Sequence, residues 1–302
     1  MPFRTSIWPK RSRLPDISGR IWCLTPNPVL EIKFLGGRTV VSAGGKGHNV
    51  ARQLRQWGAA AVSVVPRTGM KWRHAAGKDR IPLREIPIPS AARTGWAFVE
   101  GAGKRLDFFT EDPRWERADW SRCKKKLRRL IRSRDWLVVA GSVPAGAPRG
   151  WWKSLFLTLK KRGVRIVVDG KAQLLREGLQ AGVEWAKANL AEAEETMLRR
   201  GAGRCFAAMQ ARSRGRCGLL ITRGPRGLLM KAGRTTVAVP APQIRLWDAT
   251  GSGDVVTAAL IHGIRKGWEI GKVAGFSAWA GSEQAARRDE VVERLKRRGV
   301  LA

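Results

Sequence analysis

The sequence contains no tyrosine, three histidines (His48, His74, His262) and four cysteines in 302 residues. Cys23, Cys123, Cys205 and Cys217 lie far apart with no C-x-x-C pair, which supports neither a disulfide framework nor a zinc site. No histidine has a cysteine or carboxylate at metal-like spacing, so none is given a role. No run of eighteen apolar residues occurs, and nothing reads as a membrane span. Residues 1–20 are basic, interrupted by Pro2, Pro9 and Pro15, and lack the apolar run of a secretory signal. The chain is therefore expected to be cytoplasmic, with reduced thiols. Several enzyme signatures are also missing. There is no G-x-x-x-x-G-K-[ST], which excludes a P-loop kinase, and no G-x-S-x-G, H-E-x-x-H or protein-kinase signature set.

Acidic residues are scarce: 24 Asp+Glu stand against 58 Lys+Arg, a formal charge of +34. Such a field attracts phosphates of any kind, from nucleotides to nucleic acid. The densest stretch, 122–134, carries eight basic residues around an apolar stripe of Cys123, Leu127, Leu130 and Ile131, which predicts an amphipathic helix with a basic outer face. Because the basic residues run along the whole chain, a compositional habit accounts for them better than a grooved binding face does.

What is present is globular. Hydrophobic residues make up 43% of the chain and the mean hydropathy is −0.27, which excludes wholesale disorder. Apolar β-type runs at 21–24, 60–65, 136–140, 164–168, 219–222 and 237–239 alternate with helical patterns at 49–57, 151–161, 174–179, 190–198 and 254–264. That alternation predicts an α/β fold: a mostly parallel central sheet covered by helices on both faces. Two stretches break it. Residues 31–42, around Gly36-Gly37, and a hairpin at 94–109 with its turn at Gly101-Ala102-Gly103 read as strands of a small subsidiary sheet. Pro82, Pro87 and Pro89 mark an extended approach to that hairpin.

Two boxes carry chemistry. Asp248-Ala249-Thr250-Gly251-Ser252-Gly253-Asp254 leads straight into an apolar helix. Glycines there let backbone N–H groups turn outward, and the helix dipole adds to their partial positive charge. An anion hole beside a carboxylate is what phosphoryl transfer to a hydroxyl requires. A bare G-S-G-D run is equally a glycine-rich N-cap. The second box, Ala43-Gly44-Gly45-Lys46-Gly47-His48-Asn49, brings glycines into a helix and places the Asn49 amide where it can hold sugar hydroxyls.

These boxes occur in one order with four others: Thr25-Pro26-Asn27-Pro28-Val29-Leu30-Glu31, 140–146 (A-G-S-V-P-A-G), 187–192 (K-A-N-L-A-E) and 222–227 (T-R-G-P-R-G). Together they resemble the ribokinase-like (PfkB-type) carbohydrate kinases, in the branch of 1-phosphofructokinase, tagatose-6-phosphate kinase and the minor 6-phosphofructokinase, over roughly residues 21–284. The resemblance implies a basic extension at 1–20, a ribokinase-like kinase domain at 21–302, and a β-sheet lid inserted at about 31–42 and 92–110. It implies transfer of phosphate from ATP, with Mg²⁺, to a hydroxyl of a phosphorylated ketohexose. Asp254 would be the catalytic base and Gly251, Ser252 and Gly253 the anion hole. Glu31, Gly44, Gly45, Lys46 and Asn49 would line the sugar site, and Arg93 would grip the substrate phosphate. Lys187, Asn189, Thr222, Gly224 and Gly227 would border the nucleotide, with Asn189 and Glu192 placing the metal through waters. A homodimer through the lid, and non-specific polyanion binding through the basic surface, are further expectations.

Departures from the pattern fall on the substrate and nucleotide walls. Glu31 replaces an Asp, Ala188 replaces a Pro, and an Asn near Gly95 is missing. Pro66–Lys71 replaces a Gly-Gly-Asp segment, and the adenine-side loop is not recognisable around 285–289. Two alternatives stay open: a kinase of an unphosphorylated sugar or nucleoside on the same fold, and a catalytically weak, highly basic relative that binds nucleic acid.

Overall fold

The computed structural model describes residues 19–35, 38–101 and 104–286. The first half runs β1 (Ile21–Leu24), β2 (Val29–Leu35), β3 (Arg38–Gly44), α1 (Lys46–Gln56), β4 (Ala61–Arg67), α2 (Met70–Gly77) and β5 (Leu83–Pro89). Next come β6 (Arg93–Gly101), β7 (Lys104–Phe109), α3 (Arg117–Leu130), β8 (Trp136–Ala140), α4 (Trp151–Lys160), β9 (Arg165–Asp169) and α5 (Ala172–Ala181). The remainder is β10 (Trp185–Asn189), α6 (Leu190–Met197), α7 (Ala202–Ser213), β11 (Gly218–Thr222), β12 (Leu228–Ala232), β13 (Thr235–Val239), α8 (Ser252–Arg265) and α9 (Ile270–Ala286).

The apolar runs become the centre of a nine-stranded sheet of order β13-β12-β11-β10-β9-β8-β1-β4-β5. It is parallel from β11 to β5, and β12 and β13 add antiparallel at one edge. Alternation along β1 sends Trp22 and Leu24 to one face and Ile21 and Cys23 to the other. Helices α3, α4, α5 and α7 close the first face with Leu127, Trp152, Phe156, Leu175 and Met209. Helices α1, α8 and α9 close the second with Leu54, Leu260, Ile261 and Val273. Trp120, Trp151 and Trp152 pack ring edge against ring face and Trp115 tilts against Trp120, with centroids 4.6–5.8 Å apart, so part of the unusual tryptophan content is core.

The two stretches outside the alternation form a separate four-stranded sheet, β3-β2-β6-β7. The register puts Glu31, Lys33, Ser42 and Phe109 on one face, and Val41, Phe98, Leu106 and Phe108 on the other. The glycine pair 36–37 and the turn residues 102–103 lie outside the described residues, as do residues 1–18 of the basic extension and 287–289 of the adenine-side segment.

Helices α2 and α7 and strand β12 fall where the sequence pattern showed no element, and the basic helix, β5, β10 and α9 also differ from expectation. The basic helix spans Arg117–Leu130 and stops short of 134, because the Asp135 carboxylate accepts the Arg132 amide and the Trp22 indole N–H (both 2.9 Å) and turns the chain. Its basic outer face is as expected, with Arg122, Lys125, Arg128 and Arg129 exposed. Residues 83–89 form the edge strand β5, where prolines cost no ladder hydrogen bond on the open side. Strand β10 and helix α9 carried no usable periodicity. The latter is rich in Gly, Ala and Ser, which lets it lie close on α8: a Cβ at Gly281 would stand 2.7 Å from Val256 Cγ2. No helix among the described residues is long and apolar enough to cross a membrane.

Candidate active site

Strand order reverses at β1, which leads to β4 on one side and meets β8 on the other. In open parallel sheets the crevice beyond the carboxyl ends at such a point receives ligands. A cleft of about 990 Å³ lies there, roofed by the lid sheet and walled by α1, α8 and α9. It collects every residue expected at the site except Gly44. A Cβ on Gly44 would lie 2.5 Å from Glu31 Oε1, so this glycine makes room for the longer Glu31 side chain and does not itself face the cleft.

Helix α8 begins at the cleft floor. Gly251 adopts φ +77°, a conformation that favours glycine, and turns the chain into the helix. The Ser252 amide donates to the Ala249 carbonyl (3.1 Å), while the amides of Gly251 and Gly253 make no hydrogen bond among the described residues. Two of the three expected amides are thus open at the helix start, and Ser252 Oγ is buried without a partner. Asp254 follows, 5% exposed, and accepts a hydrogen bond from Asn49 Nδ2 (2.8 Å). Burial first, and then the neighbouring Asp169 carboxylate, push the Asp254 carboxyl up to about 6, against the pull of Lys46, Asn49 and Lys187.

Asp169, at the end of β9, is wholly buried. The Lys187 ammonium donates to both its oxygens at 2.9 Å and to the Gly253 carbonyl at 3.2 Å, and the Thr257 hydroxyl donates to Asp169 as well. Burial alone would raise the Asp169 pKa, but Lys187, Lys46 and Thr257 outweigh it and hold the carboxyl below its usual range. Lys187 therefore braces the start of α8 from beneath, and its ammonium is engaged by protein groups. Lys46 bonds Glu192 Oε1 at 2.6 Å and stays 3.8 Å from Asp169. Burial works against its charge, yet Asp169, Glu192 and Asp254 raise its pKa. Glu192 Oε2 accepts the Asn189 amide while Asn189 Oδ1 accepts the Glu192 amide, a reciprocal capping box that opens α6. No group of three or more metal-ligating side chains assembles among the described residues.

At the lid end, Glu31 accepts from Ser42 Oγ (3.4 Å), and Lys33 lies 3.8 Å from Glu31 and 3.7 Å from Asp248. Arg93 opens β6, its guanidinium 5.2 Å over the Phe109 ring, 2.6 Å from Asp112 Oδ1 and 3.5 Å from Ser142 Oγ. At the opposite end, Thr222 closes β11, and Gly224 (φ +58°) and Gly227 (φ +78°) frame the tight turn after it. A Cβ at Gly227 would lie within bonding distance of the Val239 carbonyl oxygen, so only glycine fits. Leu228, Ile244, Leu246 and Ala278 make this end apolar, as a base-binding slot requires.

Comparison with known proteins agrees with this geometry. The model of pfkB family carbohydrate kinases matches residues 20–290. The chain belongs to that family. It is an ATP-dependent carbohydrate kinase. An ATP-dependent 6-phosphofructokinase isozyme 2 from Mycobacterium tuberculosis is 25% identical over 298 residues, covering 90% of this chain and 88% of that protein. A 1-phosphofructokinase from Rhodobacter capsulatus is 26% identical over 244 residues, covering 78% and 77% respectively. The crystal structure of phosphofructokinase-2 from Escherichia coli in complex with fructose-6-phosphate superposes with a TM-score of 0.78 at 22% identity, covering 89% of this chain and 94% of that one, a likeness of fold.

Sequence reasoning missed Asp169, Asn27, Asp112, Ser142 and Thr257. Asp169 carried one usable signal, a carboxylate at the carboxyl end of a buried strand in the kinase's parallel sheet. Asn27 meets Asp112 and Ser142, and Thr257 meets Asp169, across 85 or more positions, while Asp112 and Ser142 also reach Arg93 over shorter separations. Lys187→Met strands Asp169 as a buried charge, and its expected cost is about 3–5 kcal/mol of unfolding free energy, read from urea denaturation. A loss below about 1 kcal/mol contradicts the pair's bracing role.

Proposed function

We propose that this kinase transfers the γ-phosphoryl group of ATP to a hydroxyl of a phosphorylated ketohexose. The observation that carries the reading is the buried Asp254 carboxylate beside the open amides of Gly251 and Gly253, at the floor of a two-ended cleft. The acceptor hydroxyl oxygen forms a bond to the γ-phosphorus, the bond from that phosphorus to the β–γ bridging oxygen breaks, and ADP leaves. Asp254 takes the hydroxyl proton and later releases it to water. A carboxyl near 6 is ionised at neutral pH yet more basic than an ordinary Asp, which suits the task. The Asn49 amide holds the base, and the amides of Gly251 and Gly253 offset charge on the phosphoryl group in flight. Lys46 and the α8 terminus supply further positive potential. Glu192 and Asn189 already satisfy each other, so they would hold Mg²⁺ through waters, and the ion would screen the phosphate charges. Support for a phosphorylated substrate comes from Arg93 at the lid end and from relatives named for phosphofructose and tagatose 6-phosphate.

The deciding experiment is ADP release across fructose 1-phosphate, fructose 6-phosphate, tagatose 6-phosphate and the free sugars. Turnover of free sugars alone would defeat the reading. Asp254→Asn is expected to lower kcat by about 10²–10⁴-fold. It should keep or raise Tm at pH 7, because a carboxyl whose folded pKa is raised loses stability as pH climbs from 3.8 through about 6. In the wild type, kcat/KM should fall as pH drops below about 6 and level off above it. A flat profile down to pH 4.5 argues against Asp254 as base.

We also propose that two copies pair through the outer lid face, where Val41, Phe98, Leu106 and Phe108 are exposed on adjoining strands. Phe98→Asp with Leu106→Asp should convert a dimer to monomer in sedimentation velocity, and a monomeric wild type removes the proposal.

A further inference from the structure

The cradle around Arg93 already holds an anion, and the protein supplies it. Asp112 Oδ1 accepts from Arg93 Nη1 at 2.6 Å and from Asn27 Nδ2 at 2.8 Å. Asn27 Nδ2 also reaches Ser142 Oγ at 3.0 Å, and Arg93 Nη2 stands 3.5 Å from the same hydroxyl. A guanidinium and a carboxamide thus converge on one carboxylate oxygen, the Ser142 hydroxyl accepts from both of those donors, and the Arg93 side chain is only 17% exposed. Phosphate monoesters and carboxylates are recognised by the same donors, so this cradle suits either. Two further facts make the occupant exchangeable. The Asp112 side chain is 45% exposed and has water to turn into, while the backbone beyond it is fixed: the Ala145 amide donates to the Pro113 carbonyl and the Trp115 amide to the Ala145 carbonyl, both at 3.0 Å. Arg93 Nε is buried and unpartnered, a donor that the carboxylate leaves unused.

We propose that Asp112 is an intramolecular competitor for the sugar-phosphate subsite, a carboxylate that occupies the Arg93–Asn27–Ser142 cradle until a phosphosugar displaces it, and so sets the site's selectivity for that substrate. The inference rests on the phosphosugar reading above. Its physical use follows from the charge of the chain. At a formal +34, the protein concentrates anions of every kind near its surface. A carboxylate on the phosphate-gripping arginine excludes anions that bring nothing but charge. A phosphosugar also brings hydroxyls for Asn49 and Glu31, and that added binding displaces the competitor.

The test compares wild type with Asp112→Ala and Asp112→Asn, each checked for an unchanged circular dichroism spectrum and Tm. Two readouts are taken: KM for the phosphosugar that the wild type uses, and Kd for inorganic phosphate by calorimetry. Loss of one charge-assisted competitor should lower both by roughly 5–30-fold in Asp112→Ala, while KM for ATP moves less than twofold. Asp112→Asn should fall between, since it removes the charge and keeps the shape. A raised or unchanged phosphosugar KM together with an unchanged phosphate Kd overturns the proposal, because Asp112 then only positions Arg93. The two readings fail separately. A wild type that turns over free sugars alone sinks the phosphosugar reading. Phosphate affinity that does not tighten in Asp112→Ala sinks the competitor, whatever the substrate.

Discussion

A balance of buried charge at the start of α8 governs this molecule. Asp169 and Asp254 approach one another beneath the cleft, and two ammonium groups, Lys187 and Lys46, stand among them. Only Asp169 is fully matched, held by Lys187 through both oxygens and by the Thr257 hydroxyl. Asp254 receives a single neutral donor, the Asn49 amide, and is left short of compensation. The asymmetry separates the two carboxyls. One is held ionised and structural, the other raised into the range where it can accept a proton near neutrality. Because Lys187 also bonds the Gly253 carbonyl, the same pair fixes the turn whose amides face the cleft. Shape and acidity at this helix terminus therefore have a common source.

The lid repeats this logic in weaker form. Lys33 lies between Glu31 of the small sheet and Asp248 of the loop preceding α8, so opposite charges bridge the two sides of the cleft. Both contacts exceed 3.6 Å and involve partly exposed groups, which makes them weak. The additional methylene of Glu31 is absorbed by Gly44, which would clash with the carboxylate if it carried a side chain. The longer side chain is thus accommodated locally, and this wall of the cleft keeps its acidic group.

Legibility in the sequence followed the range of the interactions. Strands buried on both faces announced themselves as unbroken apolar runs, and β1, β8 and β11 were readable to within a residue. Edge strand β5 was obscured by its prolines, β10 by its Lys187 and Asn189, and α9 by small residues that pack without a periodic stripe. The Gly251–Asp254 run was legible as a glycine-rich helix start, and only its resemblance to the family's ordered boxes singled it out from a plain N-cap. The groups that tune it were not. Asp169 reaches Thr257 across 88 positions, and Asn27 meets Asp112 across 85.

The excess of positive charge and the scarcity of carboxylates belong in one account. With 24 acidic residues in 302, the few carboxylates at the cleft sit in a strongly positive field, and cations stand close to most of them. In and around the cleft most oppose a particular cation: Asp169 opposes Lys187, Glu192 opposes Lys46, and Asp112 opposes Arg93. Asp254 alone among these four has no lysine or arginine within salt-bridge distance among the described residues. The field of the whole chain draws anionic substrates inward without discrimination. Selectivity must then come from short-range opposition inside the cleft, where each cation already has a partner that an incoming phosphate has to better.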